Sequence, residues 1–421
     1  MGKRGSLFVT VLLFAATVVA DTTETRYFSA SMSPANEVPP ATGVTASGQA
    51  TITLVVLRSD SGSVVSGVAY FDVDYSVSYP SPEGVILTGL HIHNGPAGVA
   101  AGVVISSGLR SSESIPAQGT GNIFRQANVT SGAGLGTLAD LPVNPANYYV
   151  NLHSTVHPDG FLRGQLQPST APPPSVEVGA LVNAASFAVH PAPLAPGSIA
   201  ALFGKYLNDG SPAFPAGFEP DGKLGTTLGG TQVRINGVAV PLFFSFFNLV
   251  ALQIPTELAG TTSATVQIVV GGRTSATRTF FVEPAAPGIF TANASGQGAG
   301  IITHLDYSLV TPQSPAQPDE IVILWGTGLG VTDPPLATGE PATFNEVPKP
   351  TVTLDGVPLT VLFAGRAGSS VGLDQLILQL PASMPSGSEM PMRITVGSRQ
   401  SNQVSTAVGA AAPPPPPPPP P

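Results

Sequence analysis

The chain has 421 residues and contains no cysteine. Disulfide bonds, thiolate metal sites, iron–sulfur clusters and cysteine nucleophiles are therefore excluded. Without cross-links, the stability of the folded chain has to come from apolar packing and from hydrogen bonds between strands.

Charge is also scarce, because only 10% of the residues are Asp, Glu, Lys or Arg, whereas about a quarter is usual. The formal net charge of −9 argues against a nucleic-acid partner, which requires a basic face. Hydrophobic residues make up 42%, and the chain has 47 glycines and 45 prolines. This composition is typical of exported proteins that are rich in β-structure.

Two common enzyme patterns are missing as well. There is no Gly-x-Ser-x-Gly nucleophile elbow followed by a helix. The glycine-rich segment 296–300 lacks the spacing of a dinucleotide-binding loop, and no helix is predicted after it. We therefore expect a protein that is not an enzyme and that needs no cofactor.

The first 20 residues predict a signal peptide. Lys3 and Arg4 precede an apolar run, and Val18-Val-Ala20 provides a small residue for cleavage. The apolar run is about 13 residues long, shorter than the roughly 20 that a membrane-spanning helix requires. Residues 238–254 are apolar but are interrupted by proline. We therefore predict a secreted or cell-surface protein with no transmembrane segment after cleavage.

The most distinctive stretch is Leu87-Thr-Gly-Leu-His-Ile-His-Asn-Gly-Pro-Ala-Gly98. His91 and His93 are two residues apart, so on a β-strand both imidazoles lie on one face, with Leu90 and Ile92 on the other. We expect the leucine and isoleucine to face the core. The two histidines are then on the face that is free to meet a ligand.

A second histidine stretch has the same alternation. Val150 and Leu152 alternate with Asn151 and His153, and His157 follows just before a Pro-Asp-Gly turn. A return strand, 161–166, places Leu162 inward and Arg163 outward by the same periodicity of two. The shared phase predicts one polar, exposed surface formed by His91, His93, His153 and Arg163, to which we add Asn151 and the loop carboxylate of Glu37.

These stretches resemble the CHRD domain, a module named after chordin. The resemblance covers about residues 27–167 and rests on several motifs in order: Phe28-Ser-Ala-Ser-Met-Ser-Pro-Ala-Asn-Glu-Val-Pro-Pro40, Gly48-Gln-Ala-Thr-Ile-Thr53, His-Ile-His-Asn-Gly-Pro-Ala-Gly, Tyr149-Val-Asn-Leu-His153 and Gly160-Phe-Leu-Arg-Gly-Gln-Leu166. It implies an extracellular β-domain, which in the animal namesakes belongs to a secreted antagonist of growth factors. The usual acidic residue before Arg-Gly-Gln is replaced here by Phe161 or Leu162.

The histidines leave two interpretations open. One is a site for Zn or Cu formed by His91, His93, His153 and His157, since imidazole suits these metals. Residues 89–93 also resemble the copper-ligand strand of Cu/Zn superoxide dismutases, although the other ligands and the disulfide of that family have no counterpart. The other interpretation is a structural network of hydrogen bonds to carboxylates and backbone carbonyls.

The second half of the chain contains an internal repeat. Residues 198–207, 231–240, 251–255 and 269–273 correspond to residues 320–329, 351–360, 377–381 and 395–399. The offset stays near 120 residues, which indicates tandem domains with loop insertions. Each repeat predicts short strands with an Asn-Gly or Asp-Gly hairpin at Asn236 and Asp355, a pattern typical of immunoglobulin-like sandwiches. The repeats also resemble IPT/TIG-type domains.

The expected fold class is therefore all-β, with a CHRD-like antiparallel domain followed by two immunoglobulin-like sandwiches. We expect the following boundaries: signal peptide 1–20, CHRD-like domain 27–167, Pro-rich linker 168–175, sandwich repeats 176–290 and 291–408, and poly-Pro tail 409–421. The tail is typical of a spacer that spans a wall or leads to another module.

The leading hypothesis is a secreted or cell-surface protein that binds or adheres without catalysis. Its recognition surface would be the CHRD-like face with Glu37, Asn151 and Arg163, carried on the sandwiches as spacers. The expected partner is an extracellular protein or polysaccharide. The alternative is a metal-binding or superoxide-dismutase-like redox domain that uses the histidines.

Overall fold

The computed structural model describes residues 22–80 and 85–409. The expected signal peptide and all but the first residue of the expected poly-Pro tail lie outside these ranges. The chain divides into two compact units, with the boundary between Pro172 and Pro173. Among the described residues, no helix has the length and apolarity needed to cross a membrane.

The first unit consists of two antiparallel sheets. One has the strand order β6-β3-β2-β1-β9 and the other the order β5-β4-β7-β8. The elements are β1 Thr22–Met32, β2 Thr45–Arg58, β3 Val64–Ser78, β4 Leu87–Asn94, β5 Val103–Ser106, β6 Gly119–Val129, α1 Ala133–Asp140, β7 Tyr148–Ser154, β8 Leu162–Gln165 and β9 Gln167–Ser169.

One apolar core lies between the two sheets of this unit. Ile52 and Leu54 of β2, Phe71 of β3, and Leu90 and Ile92 of β4 are all completely buried. In each strand these residues alternate with residues on the other face, as the pleat of a strand requires. The sequence analysis missed α1, whose eight residues are too few for a strong helical periodicity.

The second unit contains two β-sandwiches in series. The strands of the first are β10 Leu181–Asn183, β11 Ile199–Phe203, β12 Thr231–Ile235, β13 Val238–Ala239, β14 Leu242–Ser245, β15 Leu249–Gln253, β16 Ser263–Val270, β17 Arg273–Thr274 and β18 Arg278–Phe281. The strands of the second are β19 Gly288–Ile289, β20 Ile302–Thr303, β21 Ile321–Thr327, β22 Thr351–Leu354, β23 Val357–Pro358, β24 Thr360–Arg366, β25 Asp374–Gln379, β26 Gly387–Val396, β27 Arg399–Gln400 and β28 Val404–Val408.

The two sandwiches have equivalent strand orders. The first pairs a sheet β10-β11-β15-β14 with a sheet β13-β12-β16-β17, and the second pairs β19-β21-β25-β24 with β23-β22-β26-β27. Each pair encloses its own apolar core. The predicted hairpins are present, since Asn236 and Asp355 have φ of 48° and 50° and the glycines that follow are also positive, as a two-residue type I′ turn requires. The prediction of an all-β fold with immunoglobulin-like repeats is confirmed.

Direct hydrogen bonds join the two sandwiches. The amide of Ile199 donates to Thr327 Oγ1 at 2.9 Å, and the amide of Gly339 donates to Gln253 Oε1 at 2.7 Å. Gln253 is buried where it accepts this bond. These bonds use the backbone of one sandwich and a side chain of the other, so they fix the sandwiches against one another.

A buried ion pair lies beside this junction. Arg366 at the end of β24 pairs with Asp374 at the start of β25, and both side chains are almost fully enclosed. Asp374 also accepts the amide of Leu329 at 2.8 Å, and Arg366 also donates to the carbonyl of Gly330 at 2.9 Å. The pair therefore satisfies its own charges and two backbone groups of a neighbouring loop.

Loss of one partner of this pair should destabilise the sandwiches strongly. In Arg366→Met the buried Asp374 carboxylate is left without its cation, which costs roughly 3–5 kcal/mol of the free energy of unfolding. Urea denaturation followed by circular dichroism measures this loss. The matched control is Arg399→Met, which removes the exposed pair with Glu283 and should cost less than about 1 kcal/mol. Equal losses in the two variants would contradict the assignment.

Candidate functional site

The candidate site lies on the sheet β5-β4-β7-β8 of the first unit. In this sheet His91 pairs with Asn151, and Asn151 pairs with Arg163 on the next strand. His93 pairs with Tyr149, and Gly89 pairs with His153. Since these residues all have the phase opposite to the apolar core residues, they share the other face of the sheet.

Three imidazoles converge on this face. The ring centroids of His91 and His153 are 4.8 Å apart, and His93 is 5.8 Å from each of them. One ring nitrogen from each histidine lies within 4.8 Å of the others. The strand phase inferred from the sequence therefore brings these three side chains together.

Gly89 makes this convergence possible. A Cβ at position 89 would lie 2.6 Å from Cε1 of His91, closer than carbon atoms approach without a shift. Because Gly89 pairs with His153 across the sheet, the space above the glycine is the space beside His153. The His91 ring occupies that space and so reaches its neighbour.

Backbone carbonyls fix the orientation of two of the rings. Nδ1 of His93 donates to the carbonyl of Ala101 at 2.8 Å, and Nδ1 of His153 donates to the carbonyl of Pro158 at 2.9 Å. A carbonyl can only accept, so in the neutral imidazole each Nε2 carries a free lone pair. Both Nε2 atoms, and Nδ1 of His91, are buried and have no hydrogen-bond partner among the described residues.

An aromatic ring and a cation support His93. The ring of Tyr149 stacks against His93 with centroids 4.7 Å apart and planes 6° from parallel. The guanidinium of Arg163 lies 3.5 Å from the centroid of the same tyrosine ring. The Tyr149 hydroxyl accepts the amide of Ala101 at 3.1 Å, which holds in place the loop that orients His93.

The site favours neutral imidazoles. Burial, together with the charges of His153 and His93, lowers the pKa of His91 to about 4. Burial also lowers the pKa of His93 and of His153, while the hydrogen bond that each ring donates to a backbone carbonyl acts in the opposite direction. At neutral pH the cluster therefore presents three uncharged nitrogen donors, a set that suits zinc, copper or nickel.

The residues predicted as an exposed binding face are instead buried. Glu37 is 6% exposed, Asn151 2% and Arg163 2%. The loop after β4 covers Arg163, which donates to the carbonyl of Pro96 at 2.9 Å, and Gln165 donates to that of Gly95 at 2.7 Å. Asn151 instead lies against Glu37 and Gly160. The face of the sheet on which these side chains lie was predicted correctly. The prediction that they are exposed was wrong, because strand alternation does not reveal whether loops cover that face.

His157 does not join the other three histidines. Its ring packs against the rings of Tyr79 and Phe161, at centroid distances of 6.0 and 6.3 Å. The chain turns after β7, so the alternation that places His153 no longer holds at position 157. The structure therefore gives a cluster of three histidines, where the sequence predicted four.

Sequence reasoning did not identify Gly89 and Tyr149 as parts of this site. Tyr149 has the same phase as Asn151 and His153, and this alternation alone could have placed it on the same face as the histidines. Its position beside His93 depends on the register of β4 and β7. The role of Gly89 depends on the strand register, and the roles of the Ala101 and Pro158 carbonyls depend on loop conformation. Neither register nor loop conformation can be inferred from residue types.

Glu37 is a buried carboxyl near the cluster. Burial raises its pKa to about 7, while the charge of Arg163 and a hydrogen bond from Asn151 act in the opposite direction. Nδ2 of Asn151 donates to Oε2 of Glu37 at 3.4 Å. This carboxyl therefore holds a proton in the folded state at pH values where an unfolded chain has lost it.

Glu37→Gln should change how stability depends on pH. Below the ordinary pKa of 4.5 the carboxyl is protonated in both states; as pH rises to about 7 only the unfolded state releases its proton, so the wild type loses stability. The full loss is about 3 kcal/mol and is complete above about pH 7. The glutamine side chain does not titrate, so the variant does not lose stability in this way. The difference in unfolding free energy between variant and wild type should therefore grow as the pH rises from 4.5 to about 7.

Urea denaturation at intervals from about pH 4 to about pH 8 measures the difference. Glu113→Gln is the matched control, since Glu113 is partly exposed in an ion pair with Arg125. A flat difference between Glu37→Gln and wild type across this range would show that Glu37 is not a buried acid.

Comparisons with known proteins agree with part of the sequence analysis. The model of the CHRD domain family matches residues 28–166, a range that ends at Leu166, directly after β8. No curated protein matches the chain.

Several solved structures resemble the chain weakly. A tandem of titin domains I9–I11 is 10% identical and covers 82% of this chain and 94% of its own, with a TM-score of 0.17. The BSP domain of a biofilm-associated protein is 9% identical and covers 94% and 68%, with a TM-score of 0.21. Domains 4–9 of the surface layer protein SbsC are 11% identical and cover 85% and 44%, with a TM-score of 0.20.

These TM-scores are too low to support an argument, so the description of the sandwiches rests on their strand order and cores. The family match of the first unit is stronger than these structural similarities, because the family model and the ordered sequence motifs identify the same segment. Residues 28–166 of the chain therefore form a CHRD domain, followed by two tandem immunoglobulin-like β-sandwiches.

Proposed function

We propose that the chain is an exported, non-enzymatic binding protein, in which the CHRD domain recognises an extracellular protein or polysaccharide and the two sandwiches act as a spacer. The leader predicted at residues 1–20 and the low charge support export. The absence of cysteine and of a nucleophile elbow supports a role without covalent catalysis.

The observation that carries the proposal is an open groove of about 480 Å³ on the CHRD domain. It lies on the sheet β6-β3-β2-β1-β9, away from the histidine cluster. The residues that line it are Ser47, Gly48, Gln49, Asp74, Tyr75, Ser76, Thr120 and Gly121.

The groove has an ordered polar surface. Ser47, Ser76 and Thr120 form one row across three strands, and Gln49 and Asp74 form part of a neighbouring row. Hydroxyl, amide and carboxylate groups in register can donate and accept hydrogen bonds along a ligand. Since the predicted face with Arg163 is buried, this groove replaces it as the recognition surface in the proposal.

The junction between the sandwiches supports a spacer role. A stiff spacer needs neighbouring domains that do not move freely, and side chains of one sandwich accept backbone amides of the other. An exposed ion pair between Glu283 and Arg399 also links residues on the two sides of the junction. Together these contacts resist bending between the sandwiches.

Export predicts a processed N-terminus. When the full gene is expressed in a host that secretes proteins, the mature chain should begin at Asp21, because Ala20 is the small residue before the expected cleavage point. N-terminal sequencing of the secreted protein gives the answer. Replacing Leu12 and Leu13 by Asp should keep the chain in the cell, since the apolar run is interrupted. Retention of the wild type with an intact Met1 would contradict the proposal.

Blocking the groove should weaken recognition of the ligand. In Ser76→Tyr a large side chain fills the exposed centre of the groove, and binding should weaken at least about tenfold, or about 1.4 kcal/mol. Retention of the full chain on immobilised polysaccharide and protein fractions of the producing cell's envelope measures this change and separates the two ligand classes.

Asn128→Tyr is the matched control, because Asn128 is exposed on β6 of the same sheet, opposite Val68 and away from the groove. The control should bind as the wild type does. Equal binding by Ser76→Tyr and wild type, or no retention on either fraction, would overturn the proposed site.

A further inference from the structure

The histidine cluster is built in a way that hydrogen bonding alone does not explain. An unpaired buried polar atom costs roughly 1–3 kcal/mol, and here three such nitrogens belong to neighbouring rings. They are Nδ1 of His91, Nε2 of His93 and Nε2 of His153. In folded proteins, groups of this kind are retained where a further partner satisfies them.

We propose that His91, His93 and His153 form a transition-metal site that binds one Zn²⁺ or Cu²⁺ through three imidazole nitrogens. The proposal does not depend on the groove, which lies on the other sheet of the CHRD domain. It replaces the four-histidine site expected from the sequence, since His157 packs elsewhere.

The outer contacts of the rings match those of metal-bound histidines. A histidine ligand usually donates its second ring N–H to a carbonyl or carboxylate, which fixes the tautomer and aims the other nitrogen at the metal. His93 and His153 each donate Nδ1 to a backbone carbonyl, and their Nε2 atoms have no protein partner among the described residues. The free lone pairs are therefore already formed and oriented.

The three imidazole nitrogens need to move only slightly closer together to bind one ion. Zn–N bonds are about 2.0–2.1 Å, so two nitrogens on a tetrahedral ion are roughly 3.4 Å apart. The nitrogens of the cluster lie within 4.8 Å of one another. A rotation of the His91 ring, which has no backbone hydrogen bond from its buried nitrogen, can bring its nitrogen to the shared ion.

The ligand chemistry selects the metal class. Three neutral imidazoles without a thiolate suit divalent ions late in the first transition series, and affinity generally rises to Cu²⁺. Calcium and magnesium prefer oxygen ligands. Three histidines also leave at least one coordination position for water or an external ligand.

The decisive experiment uses the full chain, purified without a polyhistidine tag and stripped of metal with a chelator. After dialysis against Zn²⁺ alone or Cu²⁺ alone, mass spectrometry of the elements should find one ion per chain. In His93→Ala/His153→Ala the affinity should fall at least about 100-fold, beyond the 10–100-fold caused by loss of an outer contact.

Two controls test whether the three named histidines are the ligands. His190→Ala removes an imidazole that stacks on Phe281 in the first sandwich, and His157→Ala removes the histidine that the structure places outside the cluster. Both should bind one ion with unchanged affinity. Loss of the ion in His157→Ala but not in the double variant would overturn the assignment.

A spectroscopic measurement on the wild type guards against a variant that fails to fold. Electron paramagnetic resonance of the Cu²⁺ form should show hyperfine coupling to imidazole nitrogens from three histidines. The proposal is wrong if the wild type retains no stoichiometric ion, or if the copper has no imidazole coupling. Neither result would affect recognition at the groove, which is tested by Ser76→Tyr.

Discussion

The pairing of β4 with β7 is the constraint on which the CHRD domain depends. Its register places Leu90 and Leu152 on one face, where both are completely buried in the core, and His91 and His153 on the other. A shift by one residue would exchange the two faces and send imidazoles into the apolar core. The large loss of apolar burial in any other register therefore fixes where the histidines lie.

The second face of this sheet is a polar interior. The loop after β4 returns over it and supplies carbonyls to His93 and Arg163. Because these carbonyls would need partners wherever they were buried, the loop and the side chains satisfy one another. Some buried polar atoms on this face nevertheless lack a partner among the described residues, and the nitrogens at the centre of the histidine cluster are among them. The proposed cation site rests on these three nitrogens.

The two sandwiches are stabilised mainly by apolar packing. Without cysteine, each has to hold two small sheets together by apolar packing, and each does so around its own core. The Arg366–Asp374 pair adds charge complementarity inside the second sandwich next to the junction. Each sandwich is therefore held together by its own core and not by covalent cross-links.

The sequence by itself determined the strand phases, the hairpins at Asn236 and Asp355, and the repeat, because alternation and turn residues are local properties. The CHRD segment was identified by the resemblance of its ordered motifs to that family, which the family model confirms. It could not determine the burial of Glu37, Asn151 and Arg163, the separation of His157 from the other histidines, or the role of Gly89. Those depend on which strands pair and which loops cover them. Contacts of this kind join residues far apart in the chain, so only the tertiary structure decided them.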